Sequence, residues 1–174
     1  MEYSMKIDED LWIGQHTVMA HKGVIAMILG SCIGLFIYDP VKKVCGAVHI
    51  QHAEPLEDGL CPNNPFRVAT TASPMIIGKV LESGGERPNL QAYLTGGASM
   101  MDNVSKYYKI GEKNEISVVK SLARAGVPIR FHKTGGKEKM RVLFDVSCGK
   151  IIINNEIAKL MAYPNSIYTG KSLF

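Results

Sequence analysis

Three observations predict a mixed α/β fold. Short runs rich in β-branched and aromatic residues occupy residues 24–29, 33–38 and 44–50, the length and pattern of strands. Residues 67–82 and 114–125 instead carry apolar side chains at helical spacing. The composition, 46% apolar and 21% charged, is that of a globular chain. It excludes a disordered chain, a collagen, a coiled coil and a disulfide scaffold. The 174 residues suit a single domain spanning 1–174, with a core that needs no cross-links.

The elements follow in order. After the three strands, residues 52–65 hold three prolines, Asp58-Gly59 and Asn63-Asn64, a loop long enough to be functional. The helix over 67–82 stops at Ser83-Gly84-Gly85; Pro74 inside it predicts either a start near Ser73 or a kink. Residues 90–94 read as a strand ending in the turn Thr95-Gly96-Gly97-Ala98. The helix over 114–125 places Ile116, Val119, Leu122 and Ala123 on one face, with Gly126 as its stop. Residues 129–132 and 140–146 flank Thr134-Gly135-Gly136 as an expected hairpin. A last strand covers 150–154, and the pattern assigns nothing to the tail from Glu156 onward.

A net charge of +4 without a stripe of Lys or Arg does not favour nucleic acid as a partner. The charge-free stretch 23–38 is too short for a membrane span and is interrupted by Gly30-Ser31. Leu29-Gly30-Ser31-Cys32 has the look of a lipoprotein cleavage box. The acidic segment before it and the apolar strand after it oppose that reading, so no membrane insertion and a cytoplasmic location are expected. Cys32, Cys45, Cys61 and Cys148 form no CxxC pair and are expected as free thiols.

The chemistry concentrates at Cys32. Asp39-Pro40-Val41-Lys42 favours a type I turn between the second and third strands. With Pro40 and Val41 at its centre, Cys32 faces His49 directly, with Cβ atoms about 4.5–5.5 Å apart. A four-residue loop leaves the pair diagonal on the same face, whereas three or five residues would separate them. A thiol beside an imidazole is the arrangement of nucleophilic cysteine catalysis, in which the imidazole lowers the thiol pKa through an ion pair. The Gly30-Ser31 turn before the Cys can direct backbone N–H groups at an oxyanion.

Leu29-Gly30-Ser31-Cys32, Tyr38-Asp39 and Gly46-Ala47-Val48-His49, taken in order, resemble the chemoreceptor glutamine deamidases of chemotaxis, the CheD family. Gly96-Gly97-Ala98-Ser99-Met100, Ile110-Gly111 with Asn114, Thr134-Gly135-Gly136 with Arg141, and Gly149 extend the match, which covers roughly residues 24–154. The resemblance implies Cys32 as nucleophile and His49 as base. It implies layered mixed β-sheets with flanking helices, similar to cytotoxic necrotizing factor-type deamidases. It implies glutamine-bearing helices of methyl-accepting chemoreceptors as substrate, a CheC-type phosphatase as partner, and no cofactor or metal. The family carries a threonine a few residues before its Cys, where Val24–Leu29 has no hydroxyl. Ser31 or a backbone carbonyl is then left to orient His49, or the protein is a weak or inactive adaptor that binds CheC or receptors. The segment after His49, through Gln51 and His52 to Pro55, also departs from the family.

Rival readings are weaker. His49, His52 and Cys61 form a possible metal set, but residues three apart on a strand point to opposite faces. Thr95-Gly96-Gly97-Ala98 lacks the Lys-Ser/Thr ending of a phosphate loop. His16, His21 and His132 are expected to be ordinary residues, and Cys45, facing Phe36, to be structural.

Overall fold

The computed structural model describes residues 5–55, 63–99 and 109–158. Among them the strands form two five-stranded sheets. The first contains β1 (Glu9–Asp10), β3 (Val24–Leu29), β8 (Met140–Asp145), β9 (Lys150–Ile153) and β10 (Glu156–Ile157), in the order β1-β3-β8-β9-β10. The second contains β2 (His16–Ala20), β4 (Ile33–Asp39), β5 (Val44–Ile50), β6 (Gln91–Gly96) and β7 (Ile129–Thr134), in the order β2-β5-β4-β6-β7. Neighbours are antiparallel except β1–β3 and β6–β7.

Alternation along the strands sorts side chains into layers. Ile25, Met27 and Leu29 of β3 and Phe144 of β8 meet Phe36, Tyr38 and Tyr93 of the second sheet. Phe36 stacks on Phe144 with ring centroids 5.1 Å apart. The opposite face of the second sheet, with Ile33, Leu35, Ile37, Val48 and Ile50, packs on helices α1 (Ala69–Glu82) and α2 (Ile110–Ala125). Strand β4 is therefore buried on both faces, which is why it reads as a continuous apolar run. The layered mixed sheets with flanking helices are as the resemblance implies.

Three expectations change. Of the two outcomes Pro74 allows, the start near Ser73 fails: helix α1 begins at Ala69 and carries Pro74 in its interior, with Ala69, Ala72, Ile76 and Val80 packed against the second sheet. Residues 129–146 are not a hairpin: β7 pairs in parallel with β6, while β8 crosses to the other sheet. The Gly135-Gly136 turn is clasped to the end of β6 instead, Gly135 N–H donating to Gly96 O and Ser99 N–H to Gly136 O. Helix α2 starts one turn earlier than its apolar face predicts, at Ile110.

Candidate active site

The β4–β5 connection fixes the relation of Cys32 to His49. Asp39, fully buried, accepts hydrogen bonds from Val41 and Lys42 N–H within the turn and from Glu86 N–H across to the helix layer. These donors hold its carboxyl below the usual pKa despite the opposing effect of burial. Asp39 pairs with Val44, so the loop has four residues and includes Lys43 at φ +54°. The register is thus shifted by two from the one the type I turn predicts. His49 faces Gly34, leaving Cys32 diagonal to it on the same face, and Cys45 faces Tyr38 rather than Phe36.

The turn carrying Cys32 is tied by its carbonyls. Gly30 O accepts from Ala98 N–H, Ser31 O from Asn114 Nδ2 at 3.1 Å, and Cys32 O from Gly97 N–H at 2.8 Å. Asn114, 1% exposed, also donates to Gln51 O at 2.8 Å, so one α2 side chain ties the Cys32 turn to the segment following His49. The two glycines of the β6 turn permit the approach. Gly96 has φ +98°, and a Cβ there would collide with the Cys32 carbonyl oxygen. Gly96→Ala is expected to cost about 3 kcal/mol or more, from a forbidden φ and a backbone clash together. Chemical denaturation would measure it; wild-type stability would show that the turn yields freely.

His49 is 4% exposed and held from the N-terminal side. Its Nδ1 lies 3.0 Å from Leu11 O, a contact that makes Nδ1 the protonated nitrogen and leaves Nε2 as the acceptor. Leu11 N–H donates to Ala26 O, Gly14 N–H to His49 O, and His49 N–H to Gln15 O, so the turn over residues 11–15 hangs on this histidine. The ring is oriented by a backbone carbonyl, one of the alternatives the sequence leaves open. Ala26 itself lies on the outer face of the first sheet, with Val24 and Leu143. Burial raises the Cys32 thiol pKa and lowers that of His49, the Leu11 hydrogen bond only partly opposing the latter. Both directions favour a resting neutral thiol and neutral imidazole over the ion pair expected from the sequence.

Cys32, His49, Gly30 and Ser31 line one cleft of about 390 Å³, walled by Asp10, Leu11, Trp12, Ile13 and Ile28. His52 does not line it; its N–H donates to Arg67 O. Cys61 lies outside the described residues, as does Met100. Among the described residues no group of three His, Cys, Asp or Glu could hold a metal. His16 stacks on Phe66, and His132 Nε2 is 2.7 Å from Glu115 Oε1. Nothing in the sequence marks Leu11, Trp12 and Ile28 as lining the cleft: a backbone carbonyl has no sequence signature, and the two exposed side chains match no motif.

A family model described as CheD chemotactic sensory transduction matches residues 57–155. That stretch begins beyond His49, so the arrangement of Cys32 and His49 stands on its own geometry. A probable chemoreceptor glutamine deamidase CheD of Desulforamulus reducens is 36% identical over 75% of this chain and 79% of its own length. The protein of that name from Pyrococcus horikoshii is 36% identical over 80% of this chain and 86% of its own, and that from Clostridium novyi 35% over 76% and 82%. Among solved structures, the hypothetical protein YfiH of Bacillus licheniformis aligns with a TM-score of 0.39 at 14% identity, covering 64% of this chain and 46% of that one. Across most of its length, on the strength of these relatives and the family model, the chain belongs to the CheD family.

Proposed function

We propose that this protein is a chemoreceptor glutamine deamidase in which Cys32 is the nucleophile and His49 the general base and acid. One observation carries the assignment of roles: thiol and imidazole share one face and one cleft, with His49 Nδ1 engaged by Leu11 and Nε2 left for the thiol proton. Sγ attacks the glutamine Cδ as its proton passes to Nε2, giving a tetrahedral oxyanion. Nε2–H then protonates the departing nitrogen, ammonia leaves, and a thioester remains. Water, deprotonated by Nε2, attacks the thioester; its collapse releases glutamate and restores the Cys32 thiol. In this reading residues 30–32 supply the oxyanion donors. C=O and N–H of a peptide unit point in opposite directions, and the carbonyls of Gly30 and Ser31 are bound to Ala98 and Asn114. The N–H groups of Ser31 and Cys32 are thereby directed away from those partners, as oxyanion donors require.

Glutamines of chemoreceptors are the substrates in this reading, which follows the names of the relatives. A CheC-type phosphatase as second partner and a cytoplasmic location complete it. No helix among the described residues is long and apolar enough to cross a membrane. Incubation with a receptor cytoplasmic fragment, followed by mass spectrometry of its peptides, tests the proposal. Glutamine-to-glutamate conversion is expected with wild type and absent with the Cys32→Ala blank; no conversion on any receptor fragment would refute it.

A further inference from the structure

We propose that Asn114 is a positioning residue for the reaction: it holds the peptide unit whose N–H receives the oxyanion, an assignment that rests on the deamidase reading. Three successive peptide units cross the Cys32 turn, and each has its carbonyl bound. Gly30 O accepts from Ala98 N–H and Cys32 O from Gly97 N–H, both at 2.8 Å, so backbone donors of the β6 turn hold the outer two. The middle unit joins Ser31 C=O to Cys32 N–H, and among the described residues no backbone group donates to it. Its carbonyl is held by the Asn114 side chain, Nδ2 donating at 3.1 Å.

The other end of that unit is open. Among the described residues nothing accepts from Cys32 N–H, although Cys32 is only 8% exposed and lines the cleft. An N–H without a partner at a buried residue is uncommon and calls for a reason; a developing oxyanion supplies one. Because the peptide is planar and trans, whatever fixes the carbonyl also fixes the N–H on its far side. A donor on the carbonyl polarises the unit and strengthens the bond its N–H makes. Asn114 thus orients the oxyanion donor without touching substrate.

Asn114 is itself held in place. It is 1% exposed, and Nδ2 also donates to Gln51 O at 2.8 Å, so both amide hydrogens are engaged. Its helix is set against the same β6 turn: a Cβ on Gly111 would strike the Gly97 carbonyl oxygen. Glu115, the next residue, has Oε1 2.7 Å from His132 Nε2 of β7. One turn further along α2, Ser117 Oγ donates to Ala53 O at 2.9 Å. That bond grips the segment after His49 but does not reach the Cys32 turn, which makes Ser117 the control for Asn114.

Two reagents at one sulfur separate positioning from mere support. p-Nitrophenyl acetate acylates Cys32 by addition to a carbonyl: the S–C bond forms, an oxyanion develops, the thiol proton passes to His49 and nitrophenolate leaves. Iodoacetamide alkylates the same sulfur by displacing iodide from a saturated carbon, with no oxyanion. Mass spectrometry of the Cys32 peptide reads both. In Asn114→Ala, acylation should fall about tenfold or more while alkylation stays within about twofold of wild type. On a receptor fragment kcat should fall about 10–10²-fold with KM little changed, since the oxyanion arises only after substrate is bound. Asn114→Ser, which keeps one donor, should lie between, and Ser117→Ala should match wild type in both reactions. Equal losses of acylation and alkylation, no loss of either, or failure of both Asn114 variants to fold would leave Asn114 a structural role alone and overturn the proposal. Wild type that acylates at Cys32 yet converts no glutamine would instead remove the deamidase reading, and the ratio of the two labelling rates would still decide this one.

Discussion

Cys32→Ala should eliminate glutamine deamidation while leaving the fold within about 1 kcal/mol of wild type. Without the sulfur no thioester forms, and a positioned water cannot replace it, since the imidazole would then have to activate a nucleophile some distance from where Sγ attacks. The stability cost is small because the side chain lines an open cleft, where alanine leaves no sealed cavity. A companion measurement distinguishes the resting state. Burial raises the Cys32 pKa, so the rate of iodoacetamide labelling should keep climbing as pH passes the ordinary thiol value of 9.0, with little thiolate at neutral pH. Cys148 is exposed and should label before Cys32 near pH 7, whereas Cys45, fully buried, should resist throughout. A labelling rate for Cys32 that is already flat at neutral pH would reveal a preformed thiolate–imidazolium pair. Residual turnover in the alanine variant would remove Cys32 from the chemistry.

How much of this was legible depended on what each residue's signal consists of. Strands β3, β4 and β5 were readable because burial writes a run of apolar residues. β1 was invisible: Glu9 and Asp10 are exposed and pair with β3 through backbone alone. β2, a half-buried edge strand, carries only a weak pattern. Thr134-Gly135-Gly136 has the chemistry of a hairpin turn, yet it connects strands of different sheets, because the parallel pairing of β7 with β6 outweighs the local signal. The hairpin register moved by two because Lys43 adopts a left-handed φ that no lysine announces. The four-residue loop, an alternative the sequence leaves open, keeps Cys32 and His49 on one face, since a shift by two preserves which face a strand residue occupies. Asn114 drew notice only within a resemblance; its two hydrogen bonds required the fold.

The support of His49 shows the same division, and it yields the second large effect. His49→Ala should lower kcat by about 10²–10⁴-fold, the usual contribution of a positioned acid–base group, whereas His52→Ala, outside the cleft, should change it little. A variant's rate alone cannot say that His49 acts as a base, but the pH profile can. With its pKa lowered by burial, the imidazole is neutral at pH 7, and kcat/KM should fall only as pH drops below the ordinary 6.5 and through the depressed value. That acid limb should vanish in His49→Ala. If it persists there, another group titrates and the role passes elsewhere. The threonine missing from β3 bears on the same point. A hydroxyl introduced at Ala26 would face the outer side of the first sheet, and one at Met27 would enter the fully buried layer between the sheets. Because Nδ1 already has the Leu11 carbonyl at 3.0 Å, neither Ala26→Thr nor Met27→Thr should raise the rate. An increase of about tenfold in either would mean that the carbonyl leaves the ring underdetermined, since that is the scale on which an orienting hydrogen bond to a catalytic histidine acts.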